Sequence, residues 1–131
     1  MLKVYFFRIT FIACVVLITV LSLAPLDVGI DPNKIQIPHL DKYVHFCFYF
    51  AFVVTGSLAC RELLKIRFLK KSELVKVFLA AVVYGIIIET FQTTLTATRQ
   101  ADLLDVVANT SGAFFGIIVI GCSKSTRMGL K

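Results

Sequence analysis

The chain has 131 residues, 58% hydrophobic and only 17% charged, with a formal net charge of +6. Such a composition excludes disorder, which needs low hydrophobicity. It also argues against a soluble globule, because so short a chain has too little interior to hide that much apolar surface. Two domains would need more chain, which leaves one small integral membrane domain over residues 1–131.

A membrane helix needs about 20 mostly apolar residues. The first candidate runs from Val4 to Ala24, with Arg8 near its start, where a long side chain can snorkel to the interface. Ser22-Leu23-Ala24 has the small residues of a signal-peptide cleavage site, but Pro25 follows directly, which fits cleavage poorly, so the segment reads as a retained span. The stretch to Leu40 holds Pro25, Pro32, Pro38 and Gly29 and reads as a loop. The second span runs from Tyr43 to Cys60. A basic loop from Arg61 to Glu73 leads to the third, Leu74 to Leu95. A polar hairpin, Thr96 to Asp102, leads to the fourth, Leu103 to Cys122. The expected fold is all-α: an integral membrane bundle of four transmembrane helices.

Eleven of the fourteen basic residues fall on one side of this arrangement, leaving Lys34, Lys42 and Arg99 on the other. By the positive-inside rule the eleven are cytoplasmic, and both termini with them. Topology thus accounts for the positive charge. Nucleic-acid binding would need a basic groove with interleaved aromatics, which is absent from the pattern. The scattered cysteines (Cys14, Cys47, Cys60, Cys122) form no C-x-x-C pair and read as small buried apolar residues. The sequence calls for no cofactor and presents no recognisable metal-binding motif.

The informative residues are the polar ones at the outer end. Asp41, Lys42 and His45 open span two at spacings that share a helix face. Glu89 comes fifteen residues into span three, roughly 22 Å along the axis, with Gln92 on the same face. Arg99 follows in the hairpin, and Asp102, Asp105 and Asn109 open span four. Gly112 and Gly116 continue that stripe with small-xxx-small spacing. A charged side chain in mid-bilayer costs about 2.5–3.5 kcal/mol even on the gentler scale, so pairing is expected: Glu89 with His45 or Lys42, and Arg99 with Asp102 or Asp105. Each residue also has an ordinary role open to it. Asp41 and Asp102 can cap helices, Lys42 can anchor at the interface, Arg99 can end the hairpin in solvent, and Gln92 and Asn109 can join helices. Phe46, Phe48, Tyr49, Phe50 and Phe52 read as packing.

Three stretches carry a family resemblance. Pro38 to Phe46, containing Asp41, Lys42, His45 and Phe46, resembles the D-K-x-x-H-F segment of the VanZ-like family. Tyr84-Gly85 with Glu89 and Gln92 resembles its Y-G-x-x-x-E-x-x-Q helix. Arg99 with Asp105, Asn109, Gly112 and Gly116 is similar to its closing helix. The likeness covers about residues 38–121. It implies a small multi-pass membrane protein of the cell envelope; the family's namesake is linked to resistance to the glycopeptide teicoplanin.

Three readings follow. In the first, the outer residues bind the polar headgroup of a lipid-linked wall precursor or a lipophilic glycopeptide, with Lys42, His45 and Arg99 on anionic or sugar groups. In the second, the protein is an intramembrane hydrolase or transferase. There His45 and Glu89 act as base and orienting carboxylate, or Asp41, His45, Glu89 and Asp105 hold a magnesium- or manganese-class ion. In the third, the polar residues only fix helix register or bind a partner. Membrane lipids are the one partner common to all three, and the expected location is the bacterial plasma membrane.

Overall fold

The computed structural model describes residues 5–24, 38–95 and 102–128, and side chains as far as Ser123. Among these residues there are four helices and no strand: α1 (Phe6–Leu23), α2 (Leu40–Leu64), α3 (Lys71–Leu95) and α4 (Leu103–Met128). Each is long and apolar enough to cross a membrane.

Local chemistry sets the helix ends. Ala24 adopts an extended conformation (φ −61°, ψ 134°), as the residue before Pro25 must to avoid the proline ring. At the end of α2 the Ile66 N–H returns to the Arg61 carbonyl and the Lys65 N–H to Glu62. This is a Schellman closure, with Lys65 left-handed at φ 53° where glycine is usual. Glu73 accepts the Lys70 N–H at 3.0 Å at the start of α3, one half of a capping box. Asp102 accepts the Leu104 N–H at 2.9 Å and caps α4.

These closures lengthen the second and third helices beyond the apolar runs. Arg61 and Glu62, expected in a loop, are the last turn of α2, and only residues 65–70 connect it to α3. Apolar composition locates the stretch inside the membrane. Capping chemistry decides where the helix stops.

α2 is the central element, packing most extensively on α4 and next on α1, while α3 leans mainly on α4. Ile18, Tyr49, Phe52, Val53, Ala81 and Ala113 form the buried core. Phe52 stacks on Tyr84 with centroids 5.2 Å apart. The α2–α4 contact is close because Gly112 and Gly116 have no side chains: an added Cβ at Gly112 would overlap the Phe46 carbonyl oxygen, and one at Gly116 would meet Val53 Cβ at 2.9 Å. The broad exposed faces are apolar, with Ile9, Ile12, Val16 and Val20 along α1 and Val75, Leu79, Val83 and Ile86 along α3.

Threonine hydroxyls, exposed and part-buried alike, bond their own helix. Thr10, Thr19, Thr55, Thr90 and Thr110 each donate to the carbonyl four residues back, as a polar group must when lipid offers it no partner. The cysteines depart from expectation. Cys14 and Cys60 are half-buried, whereas Cys47 and Cys122 are exposed, because their helix positions face away from the bundle.

Candidate functional site

The beginnings of α2 and α4 and the end of α3 lie together at one end of the bundle, and they bring most of the singled-out polar residues into one cluster. Helical spacing sets the contributions. Lys42 and His45 are three apart on α2; Asp102, Asp105 and Asn109 follow at three and four on α4; Glu89 comes from α3. Gly85, one turn before Glu89, makes the room: a Cβ there would lie 3.1 Å from Tyr49 Cε1 and 3.3 Å from Asn109 Nδ2.

The outer layer is an ion-pair knot. Lys42 Nζ lies 2.7 Å from Asp41 Oδ2, 2.6 Å from Asp102 Oδ2 and 2.7 Å from Asp105 Oδ1. The first two are hydrogen bonds; the third is an ion pair off the hydrogen-bond axis. Asp41 and Asp102 keep 58% and 42% of their side-chain surface exposed, so this layer meets water or headgroups. The hydrogen bond from Lys42 holds the Asp102 carboxyl below the usual carboxylate range.

The inner layer is buried. His45, Glu89, Asp105 and Asn109 are all under one-tenth exposed. His45 Nδ1 lies 3.0 Å from Asn109 Oδ1, and Asn109 Nδ2 donates a long hydrogen bond of 3.5 Å to Glu89 Oε1. His45 Nδ1 is 3.8 Å from Glu89 Oε1, and His45 Nε2 is 3.9 Å from Asp105 Oδ2. Glu89 Oε2 has no hydrogen-bond partner among the described residues. One atom from each of His45, Glu89 and Asp105 lies within 4.8 Å of the others, a spacing a metal ion could bridge.

Of the expected pairs, Glu89 stands beside His45. Lys42 goes instead to the three aspartates, because it precedes His45 by one turn and sits nearer the rim. Arg99, expected against Asp102 or Asp105, lies outside the described residues; both aspartates are held by Lys42. Gln92 shares the Glu89 face, yet its amide donates to the Ser22 carbonyl of α1 at 2.9 Å and ties α1 to the bundle. Asp102 combines two roles, cap and ion-pair partner.

Three further residues contribute: Tyr49, which the sequence placed as packing, and Tyr84 and Glu62, whose contacts it did not anticipate. Tyr49 fills the floor beneath the cluster at 1% exposure. Tyr84 bonds the Thr19 hydroxyl at 2.7 Å. At the far end of the bundle Glu62 accepts the Arg8 N–H at 3.0 Å, with the Arg8 Nε 3.5 Å away. The spacing Gly85 to Glu89 and the tyrosine one turn beyond His45 were the available signals for the site itself. The Glu62–Arg8 contact had none, since it joins residues 54 positions apart.

No curated protein matches the chain, and no solved structure does. The model of the VanZ/LLP1 family matches residues 3–123. That is nearly the whole chain, and it belongs to this family.

Proposed function

We propose that this VanZ/LLP1-family membrane protein receives the polar headgroup of an envelope lipid at the outer face of the bacterial plasma membrane. The headgroup would be that of a lipid-linked wall precursor or of a lipophilic glycopeptide of the teicoplanin kind. The observation that carries the reading is the layering of the cluster. Half-exposed Asp41 and Asp102 lead down past Lys42 to a buried polar floor of Asp105, His45, Asn109 and Glu89. A bundle needing only register would be served by one or two interhelical hydrogen bonds, which average about 0.6 kcal/mol in membranes; four carboxylates and a lysine exceed that need. The asymmetry of basic residues supports an outward orientation.

The charge balance refines what the site would hold. Four carboxylates face one ammonium, which three of them already occupy. The cluster therefore suits groups that donate, such as sugar hydroxyls and amides, better than a bare anion. Lys42 acts on the site's own aspartates rather than as a free anion contact.

The test is equilibrium binding to the protein in nanodiscs, using a labelled lipid-linked wall precursor and labelled teicoplanin, with phosphatidylglycerol as competitor. Saturable binding of either, resistant to the competitor and weakened about tenfold or more by Asn109→Ala, is expected. Binding of neither, or equal displacement by phosphatidylglycerol, overturns the reading.

A further inference from the structure

We infer that His45, Glu89 and Asp105 form a binding site for a divalent cation of the magnesium–manganese class. The inference begins with the tautomer of His45. A carboxylate only accepts hydrogen bonds, so the Asn109 amide must turn its NH2 toward Glu89 and its oxygen toward His45. An imidazole proton is then on Nδ1, and in the neutral ring Nε2 is a lone pair.

That lone pair faces Asp105 Oδ2 at 3.9 Å. Two acceptors facing each other in a buried site repel unless a positive centre, a second imidazole proton or a metal ion, stands between them. Lys42 does not fill this place, since it sits against the other carboxylate oxygen, Asp105 Oδ1. Glu89 adds a second carboxylate: its Oε1 lies 3.8 Å from the same ring at Nδ1, and its Oε2 is unpartnered among the described residues although the residue is only 4% exposed.

The arrangement has the parts of a metal site. A metal-ligating histidine donates its second N–H to an oxygen acceptor, which fixes the ring; Asn109 Oδ1 does this for His45. One ligand atom from each of the three residues lies within 4.8 Å of the others. Ligands about 2.1 Å from a shared octahedral ion stand about 3 Å apart when adjacent and about 4 Å when opposite, so a contraction of about an ångström closes the set. Two carboxylates balance a doubly charged ion, and one nitrogen with two oxygens favours an oxygen-preferring metal. Asp41 does not join them, being exposed and held by Lys42.

The proposal shares its site with the headgroup reading and rests on that reading for its use. A cation at this depth would draw a headgroup phosphate that the acid-rich cluster alone repels.

The experiment uses the full chain in nanodiscs, stripped with EDTA and titrated with Mn2+ under electron paramagnetic resonance. A His39→Asn background leaves His45 as the one imidazole. We expect one Mn2+ per chain, displaced by Mg2+, with nitrogen coupling from a single imidazole. Glu89→Gln and Asp105→Asn each weaken uptake at least about tenfold, and Asn109→Ala weakens it about 10- to 100-fold through loss of ring orientation. No uptake, or bound Mn2+ without nitrogen coupling, overturns the site; the coupling needs none of these three variants and so decides the matter even if they fail to fold. Headgroup binding that persists in EDTA without Mn2+ uptake rejects the cation and leaves the headgroup reading intact. Mn2+ uptake without headgroup binding does the reverse.

Discussion

His45 Nδ1 lies 3.0 Å from Asn109 Oδ1, and one turn further along α4 the two backbones approach closely, where Gly112 leaves the Phe46 carbonyl unobstructed. Close backbone approach and polar contact are thus parts of one interface. The small residue sets the helix separation, and the separation sets what the side chains above it can reach.

Gly112→Ala should therefore disturb the site as well as the packing. Overpacking costs about 1–3 kcal/mol, and the obstacle here is backbone, so the upper part of that range is expected. Thermal unfolding in detergent checks it, with Gly121→Ala as control, since nothing lies within 4 Å of a Cβ there. Equal midpoints for the two variants would contradict the close-approach account.

Asn109→Ala strips His45 and Glu89 of a shared partner and leaves both buried. An unsatisfied buried group costs about 1–3 kcal/mol, so this variant should fall well below wild type in unfolding midpoint. Tyr84→Phe removes the contact with the Thr19 hydroxyl and the hydrogen bond to the Val15 carbonyl, both between α1 and α3. Its loss should stay near the membrane average of about 0.6 kcal/mol and below about 1.7. The ordering of the two is the measurement.

Lys42→Met should lower the unfolding midpoint, and adding Asp105→Asn should recover part of the loss by removing one uncompensated carboxylate. A double-mutant cycle measures the coupling, expected within about 0.5–3 kcal/mol for contacting residues. Additive losses would mean that the 2.7 Å contact does not contribute.

The carboxyl of Asp102 should titrate below the ordinary carboxylate range and return toward it in Lys42→Met, as carbon-13 spectra of labelled aspartate would show. The sign follows from the depressed value in the folded state. The stabilising contribution is present at neutral pH and is lost on acidification through the folded-state pKa.

Orientation is tested by labelling with an impermeant thiol reagent in intact cells. Lys34→Cys should react and Lys70→Cys should not. The background must lack the native cysteines, because Cys47 and Cys122 are exposed. Reaction at position 70 alone would place the cluster on the cytoplasmic side.

The four helices were legible in the sequence because lipid imposes a simple rule, a run of about 20 apolar residues. A close helix contact on α4 was legible from Gly112 and Gly116, since small residues at helical spacing permit near approach, but that its partner is α2 was not. The helix ends were less so: Arg61 and Glu62 look like loop residues until the Schellman closure at Lys65 is seen. Pairing within the cluster was only half legible. Helical spacing puts Lys42, His45, Asp102 and Asp105 at one end, but whether Lys42 reaches Glu89 or the aspartates depends on side-chain depth. Gln92 shows the limit most plainly, sharing a face with Glu89 and yet bonding α1, because a helix face is wide enough to serve two neighbours.

The sharing of one ammonium among Asp41, Asp102 and Asp105 makes the rim unequal in its response to damage. Remove any one aspartate and the lysine still has two counterions; remove the lysine and three anions are stranded together. A stability scan that found Asp41 and Asp102 each dispensable would be reporting redundancy in the ion-pair knot, and only simultaneous replacements could reveal what the two do jointly.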